Sequence, residues 1–258
     1  MKEKTWLWCH PTGAHDGRWN LPASSATPGE ALRYFGIENA IYVVFNNLPQ
    51  PPFAPHVGDL DEARRLVWSI VGDTSSDRND GGSDLEPVLE LARDCPNLTG
   101  AITDDFFLSQ PGPGGEQARL SFEEFAGCGD ALRQCEPGLE LWTVVYDMIL
   151  GRPLKPYLDL CDVVTYWTWE ARNLVDLEES FPAVEAMAPD CRKLLGCYMW
   201  DYGSGGAEVP LELMKMQCRL AESWIESGRI EGIVFLAGNL LGTGTAGIEY
   251  VRDWLADR

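Results

Sequence analysis

Asp104 and Asp105 stand side by side in the segment Gly100-Ala-Ile-Thr-Asp104-Asp105-Phe-Phe107, directly after a short apolar run. Two carboxyl groups held close together can divide their labour. One keeps its proton and serves as an acid, while the other stays charged as base, nucleophile or electrostatic partner. Other runs of the same kind end in Asp73, in Asp147, in Trp167-Thr-Trp169-Glu170, and in Asp201 between Trp200 and Tyr202. The remaining runs end in His10, in Asn46-Asn47 and in Asn239. Acids beside flat aromatic rings suit a sugar, whose C–H face stacks on an indole while its hydroxyls need hydrogen-bonding partners at the edge. Cleaving a glycosidic bond normally takes two carboxyl groups, one protonated to assist the leaving oxygen. Asp104 and Asp105 are the first candidates. Glu170 and Asp201 rank equally as a further acid, because neighbouring indoles would favour their protonated forms. His10, Asn46, Asn47, Asp147, Asn239, Trp167, Trp169, Trp200 and Tyr202 are the candidate substrate-binding residues, with His10 donating to a substrate hydroxyl and Asp147 alternatively capping the next turn. Asp and Asn are also ordinary turn and cap residues, so the coincidence with aromatic neighbours carries the argument.

These residues need a scaffold that brings distant stretches of chain together. A unit of roughly 30 residues, an apolar β-branched or aromatic run followed by turn residues and a helical stretch, recurs through the chain. The strands are expected at Trp6 to Cys9, Ala40 to Phe45, Leu66 to Val71, Thr99 to Thr103, Leu139 to Tyr146, Val163 to Trp167, Leu194 to Trp200 and Ile233 to Ala237. Helical patterns follow at Ser83 to Asp94, Ser121 to Cys135, Leu174 to Met187, Pro210 to Gly228 and Thr245 to Ala256, with the weakest around Asp59 to Arg64. Ser121-Phe-Glu-Glu124 has capping-box spacing, and Pro210 suits a first helical turn. Strands alternating with helices imply parallel pairing, and eight such units imply an α/β fold, a single-domain (β/α)₈ TIM barrel over residues 1–258. An open doubly wound sheet is the competitor, but the first strand lacks G-x-G-x-x-G.

In such a barrel the carboxyl ends of the strands share one face, where the acids above would meet. Taking Leu98 and Ile102 as facing the helices points Ala101, Thr103 and Asp105 inward, which makes Asp105 the sharper catalytic candidate and leaves Asp104 to orient it or to bind substrate from the loop. Trp68, Trp142 and one of Trp6 and Trp8 are expected to fill space between barrel and helices. The T-D-D-F-F strand end resembles that of several TIM-barrel glycoside hydrolases and related polysaccharide-active proteins. The resemblance implies terminal acids facing a sugar substrate. The chain departs from the D-x-x-D-x-D-x-E strand of chitinase-like enzymes and from the Asn-Glu pair of many retaining β-glycosidases, so no second acid is carried over.

Two alternatives follow from other residues. Gly203-Ser-Gly-Gly206 and Gly242-Thr-Gly-Thr-Ala-Gly247 lie after strands 7 and 8, where many barrels cradle a phosphate, as a sugar-phosphate isomerase or lyase would. A non-catalytic glycan-binding barrel would keep the aromatic platform without a working acid pair. His10, His15 and His56 are the only histidines and lack metal-ligand spacing, so neither a metal nor a cofactor is expected.

With 20 basic and 40 acidic residues the formal charge is −20, which disfavours nucleic acid and anionic membrane as partners. The expected partner is an oligosaccharide or glycoside, and the oligomeric state is open. No run reaches about 18 apolar residues. Met1 to Trp6 runs almost directly into a strand without a leader pattern, so a cytoplasmic location is expected unless a leader has been removed. The eight cysteines show no C-x-x-C pair and read as buried thiols.

Overall fold

Runs rich in Val, Ile, Leu and Trp form eight strands: β1 (Thr5–Cys9), β2 (Asn39–Tyr42), β3 (Arg65–Val71), β4 (Leu98–Thr103), β5 (Glu140–Tyr146), β6 (Val163–Trp167), β7 (Arg192–Tyr198) and β8 (Gly232–Leu236). In the computed structural model, which describes residues 1–258, these strands close into one barrel in chain order, every neighbouring pair parallel. The helices are α1 (Pro28–Phe35), α2 (Leu85–Asp94), α3 (Phe122–Gln134), α4 (Lys155–Leu158), α5 (Leu177–Met187), α6 (Leu211–Glu226) and α7 (Ala246–Ala256). None is long and apolar enough to cross a membrane. The capping box at Ser121 forms, with the Glu124 amide donating to Ser121 Oγ at 3.2 Å and the Ser121 amide to Glu124 Oε2 at 2.9 Å. Seven of the eight cysteines are buried, and all are thiols.

The expected helix around Asp59 to Arg64 is not there. Two single 3-10 turns, Ala54–His56 and Gly58–Leu60, cross between β2 and β3 instead. β2 also stops before Phe45, because Asn46 and Asn47 both take left-handed φ (52° and 62°) and turn the chain back, pairing Phe45 with Leu48. Similarly, β7 ends at Tyr198, and Trp200 pairs with Glu208 in an isolated bridge.

Which side chains face inward follows from contacts across the barrel. Trp6 on β1 and Trp142 on β5 have ring centroids 4.8 Å apart, and Trp8 on β1 and Trp167 on β6 are 5.2 Å apart. Strands that distant around the barrel can meet only through its interior. Trp142 and both Trp6 and Trp8, of which one was expected with Trp142 among the outer space-fillers, therefore fill the barrel itself. Trp68 is the one that lies outside, stacked on Tyr42 at 4.3 Å and tilted against Phe53 at 5.1 Å.

Indoles are larger than the Val, Ile and Leu that usually fill such barrels, and two glycines make room for them. A Cβ on Gly196 would lie 2.1 Å from the Trp167 ring, and one on Gly100 would lie 2.9 Å from Trp142 Nε1. Gly196→Ala is expected to lower stability by about 3 kcal/mol through overpacking, whereas Gly127→Ala, with no atom within 4 Å of its new Cβ in exposed α3, raises it by about 0.5 to 1 kcal/mol. Urea unfolding of the two variants checks both signs.

Candidate active site

The inward set of β4 is fixed by its register. Ile102 pairs with Trp142, which lies in the barrel, so Gly100, Ile102 and Asp104 point inward while Ala101 and Thr103 point to the helices. This reverses the alternation expected from Leu98. Asp104 thus continues the strand into the barrel mouth and is buried. Asp105 follows in a left-handed turn, φ 44°, which swings its carboxyl group back to the same cavity instead of outward. Aspartate tolerates that conformation better than most residues.

One narrow cavity of about 90 Å³ sits over the indole floor of Trp8 and Trp167. Asp104, Asp105 and Asp73 are on its wall with Tyr146 and Tyr198, and Trp169 stands at its edge. Tyr146 closes β5 and donates its hydroxyl to Asp105 Oδ1 at 2.7 Å, while the Thr74 amide donates to Oδ2 at 3.1 Å. The Asp105 amide in turn donates to Asp104 Oδ1 at 3.0 Å. Burial, then the negative charges of Asp105 and Asp73, push the Asp104 carboxyl well above the usual range, so it holds its proton. Tyr146 and Tyr198 are likewise pushed up by burial and the nearby acids and stay as phenols. Asp73 is taken up by its own loop, accepting from Ser75 Oγ at 2.8 Å and from Ser76 Oγ at 3.0 Å.

The cavity is roofed by the β1–α1 loop. His15 and Trp19 from that loop pack edge-on against Tyr202 at 5.5 and 5.2 Å. The loop is tied down across the barrel mouth, with Trp200 Nε1 donating to Trp19 O at 2.9 Å and Asn20 Nδ2 to Gly205 O at 2.8 Å. Gly206, at φ 82°, lies so close to the Trp19 carbonyl that a Cβ would come within 1.7 Å of it. On the opposite side Arg119 reaches under the β3–α2 loop and donates to Gly72 O at 2.6 Å and Ser76 O at 2.9 Å.

His10 lines the cavity but is not free to bind substrate as expected. Its Nδ1 donates to Val43 O at 3.0 Å, and its Nε2 accepts from Trp8 Nε1 at 3.1 Å. A carbonyl can only accept and an indole N–H can only donate, so the ring is neutral with both nitrogens engaged. Desolvation lowers its pKa to about 4, against the opposing pull of Asp73.

Of the residues singled out in the sequence, Asp104, Asp105, His10, Trp167, Trp169 and Tyr202 share this cavity. The others do not line it. Glu170 pairs with Arg172 at 2.5 Å, and Asp201 accepts the Ser204 amide at 3.2 Å. Asp147 accepts from the Trp169 amide at 3.0 Å and from Asn173 Nδ2 at 2.9 Å, which positions Trp169. Asn46 and Asn47 make the turn after β2, and Asn47 donates to Asp77 Oδ1 at 2.5 Å. Trp200 anchors the roof, and Asn239 is buried in the turn after β8. Tyr146, Tyr198, Trp19 and Phe45 line the cavity without having been singled out. The alternation of β5, read back from an inward Trp142, is the sequence signal that reaches Tyr146.

The glycine loops are already occupied by the protein's own groups. Gly206 packs on Trp19, and the Gly247 amide at the start of α7 donates to Glu208 Oε1 at 3.0 Å. A carboxylate thus sits where a phosphate would bind. No three His, Cys, Asp or Glu side chains converge in an arrangement that could hold a metal ion.

No protein-family model and no curated protein matches the chain. Solved structures do match, over nearly its whole length. Active domain 2 of a thermostable chitinase from Pyrococcus furiosus is 13% identical, covers 98% of this chain and 95% of its own, and has a TM-score of 0.60. The catalytic domain of a family GH18 chitinase from the fern Peteris ryukyuensis is 13% identical, covering 98% of this chain and 100% of its own, with a TM-score of 0.54. A structure of the tryptophan synthase complex from Pyrococcus furiosus also matches, at 10% identity, 98% and 96% coverage and a TM-score of 0.52. The chain is therefore a TIM barrel, similar in structure to glycoside hydrolases of that fold. At such identities the likeness concerns the fold alone.

A base held neutral by burial costs stability when acid forces a proton on it. His10 has a folded pKa of about 4, below its unfolded value near 6.5. Its contribution is present above pH 6.5 and is lost as pH falls from 6.5 to 4, a loss on the order of 3 kcal/mol. His15, pushed down to about 2 by burial, adds a loss over the same range, and the raised Asp104 opposes both. Urea unfolding at pH 7, 6, 5 and 4 therefore reads their sum, and His10→Gln, which can still accept and donate, is expected to make the acid-side loss smaller without abolishing it.

Proposed function

We propose that the protein hydrolyses glycosidic bonds, with Asp104 as the proton donor. The observation that carries this reading is a buried Asp104, its carboxyl pushed up by burial and the neighbouring acids, beside an Asp105 held by Tyr146 and the Thr74 amide in one cavity floored by indoles. In the reaction Asp104 gives its proton to the glycosidic oxygen as the bond to the anomeric carbon breaks. Positive charge builds on the sugar ring, and the Asp105 carboxylate and the surrounding aromatic faces stabilise it. Water adds its oxygen to the anomeric carbon and releases a proton to Asp105, and exchange with solvent restores both acids. Trp167 and Trp169 supply flat surface for the sugar, and Tyr146 and Asp147 act as positioning residues, the first for Asp105 and the second for Trp169.

The fold resemblance to chitinases and other barrel glycosidases supports this class of chemistry. The acid arrangement is this chain's own, since Asp104 and Asp105 are adjacent and no glutamate lines the cavity.

Assay on a panel of glycans and aryl glycosides tests the reading. Asp104→Asn and Asp105→Asn are each expected to lower kcat at least 100-fold with little change in melting temperature, and Tyr146→Phe to lower it about tenfold. Activity of the unaltered protein is expected to fall as pH rises through the raised Asp104 value, because the donor then loses its proton. Binding without turnover across the panel would leave a glycan-binding barrel. Unchanged turnover in both Asn variants would remove the mechanism.

A further inference from the structure

A second and much larger cavity, about 500 Å³, adjoins the first. Thr74, Asp105, Tyr146 and Trp169 line both, so Asp105 and the residues that hold it form the partition between them. The two chambers differ in character. The inner one is closed below by Trp8 and Trp167 and above by the anchored His15, Trp19 and Tyr202 roof. The outer one lies across the loops after β3, β4 and β5 and mixes apolar walls (Phe107, Leu108, half-exposed Met148) with the Arg119–Asp80 pair, which is 3.0 Å apart.

From this juxtaposition we propose that the enzyme trims single units from the non-reducing end of an oligosaccharide, with the terminal sugar in the inner cavity and the rest of the chain along the outer groove. The inference rests on the hydrolase reading above and adds direction and mode of action to it. Cleavage at the partition leaves one sugar inside, because floor and roof give a second sugar no room on that side. The inner chamber is also the one suited to the ring that becomes cationic. Asp105 and aromatic faces surround it, and no Lys or Arg lines it, whereas Arg119 stands in the outer groove. The leaving group, which takes up a proton and carries no positive charge, belongs on the outer side. Met148, 47% exposed on the groove wall that Trp169 also lines, is a contact for that leaving chain and does not line the inner cavity.

Two measurements test this on the full chain, using the sugar that the glycan panel selects. The first is digestion of a tetrasaccharide labelled at its reducing end. The expected result is stepwise release of unlabelled monosaccharide with label retained in trisaccharide, then disaccharide. Early release of labelled monosaccharide, or disaccharide as the first product, overturns the proposal while leaving hydrolysis intact. The second compares Met148→Ala with the unaltered protein on the tetrasaccharide and on the glycosyl fluoride of the same sugar, whose leaving group is one atom and needs no groove. The expectation is a five- to twenty-fold lower kcat/KM on the tetrasaccharide and less than a twofold change on the fluoride. Equal change on both substrates overturns the assignment of the groove. Absence of hydrolysis of any glycoside or fluoride by the unaltered protein overturns the hydrolase reading and this inference together.

Discussion

The structure depends on packing indoles where a parallel barrel usually places branched aliphatic side chains. Trp6 and Trp142 fill the lower interior, and Trp8 and Trp167 form the layer above it. Each pair requires an opening in a neighbouring strand, which Gly100 and Gly196 provide. The polar edges of the rings are matched within the barrel as well. Trp142 Nε1 donates to Glu140 at 3.1 Å, Trp167 Nε1 to Thr165 at 2.9 Å, and Trp8 Nε1 to His10 at 3.1 Å. These hydrogen bonds fix how each ring is turned, and so where the flat surface at the barrel mouth lies.

That floor sets the electrostatics of the site. Because it excludes water from below, Asp104 at the end of β4 faces low-dielectric surroundings and retains its proton. The roof completes the enclosure, and its anchoring is built from backbone contacts. The Trp19 carbonyl receives the Trp200 indole, and Gly206 lets the two loops come into contact. The β3–α2 loop is held in a comparable way, with Arg119 donating to its carbonyls and Arg78 bound to Asp84 and to the carbonyl of Asn47. Loops that would otherwise be mobile are thereby turned into walls, which a site that orients a substrate requires.

Much of this was readable from the residues. The alternation of strand and helix gave eight strands and a closed barrel, since β-branched runs and turn residues act locally. The meeting of Asp104, Asp105, Trp167, Trp169 and Tyr202 at one mouth follows from the fold. The inward phase of β4 was not legible. It depends on which side of the strand Trp142 takes, and that is a choice of register with a neighbour about forty residues away. The β3–β4 pairing also shifts register between Leu66 and Val67 and again after Ser69, so counting by twos from Leu98 loses its phase. His10 shows a different limit. Its place at a strand end could be read, but the partner of its Nδ1, Val43 O, is brought to it only when β1 and β2 pair, and the Trp8 indole reaches its Nε2 only once both side chains face the interior. Asn46 and Asn47 carry side chains that could bind sugar, yet their left-handed backbone assigns them to the turn.

One desolvated cavity thus holds an acid and a base, both uncharged, for the same reason with opposite sign. Removal of water raises the Asp104 carboxyl and lowers the His10 imidazole, since in each case it is the charged form that loses hydration. If His10 were protonated, its charge would favour the ionised form of Asp104 and remove the proton a glycosidic oxygen needs. Holding His10 neutral through Trp8 and Val43 therefore protects the protonation of the acid. It also leaves the negative charge of Asp105 without a competing cation on the inner wall. The two shifts have one physical origin, an indole floor that excludes water, and a change that lets water in would disturb the acid and the base together.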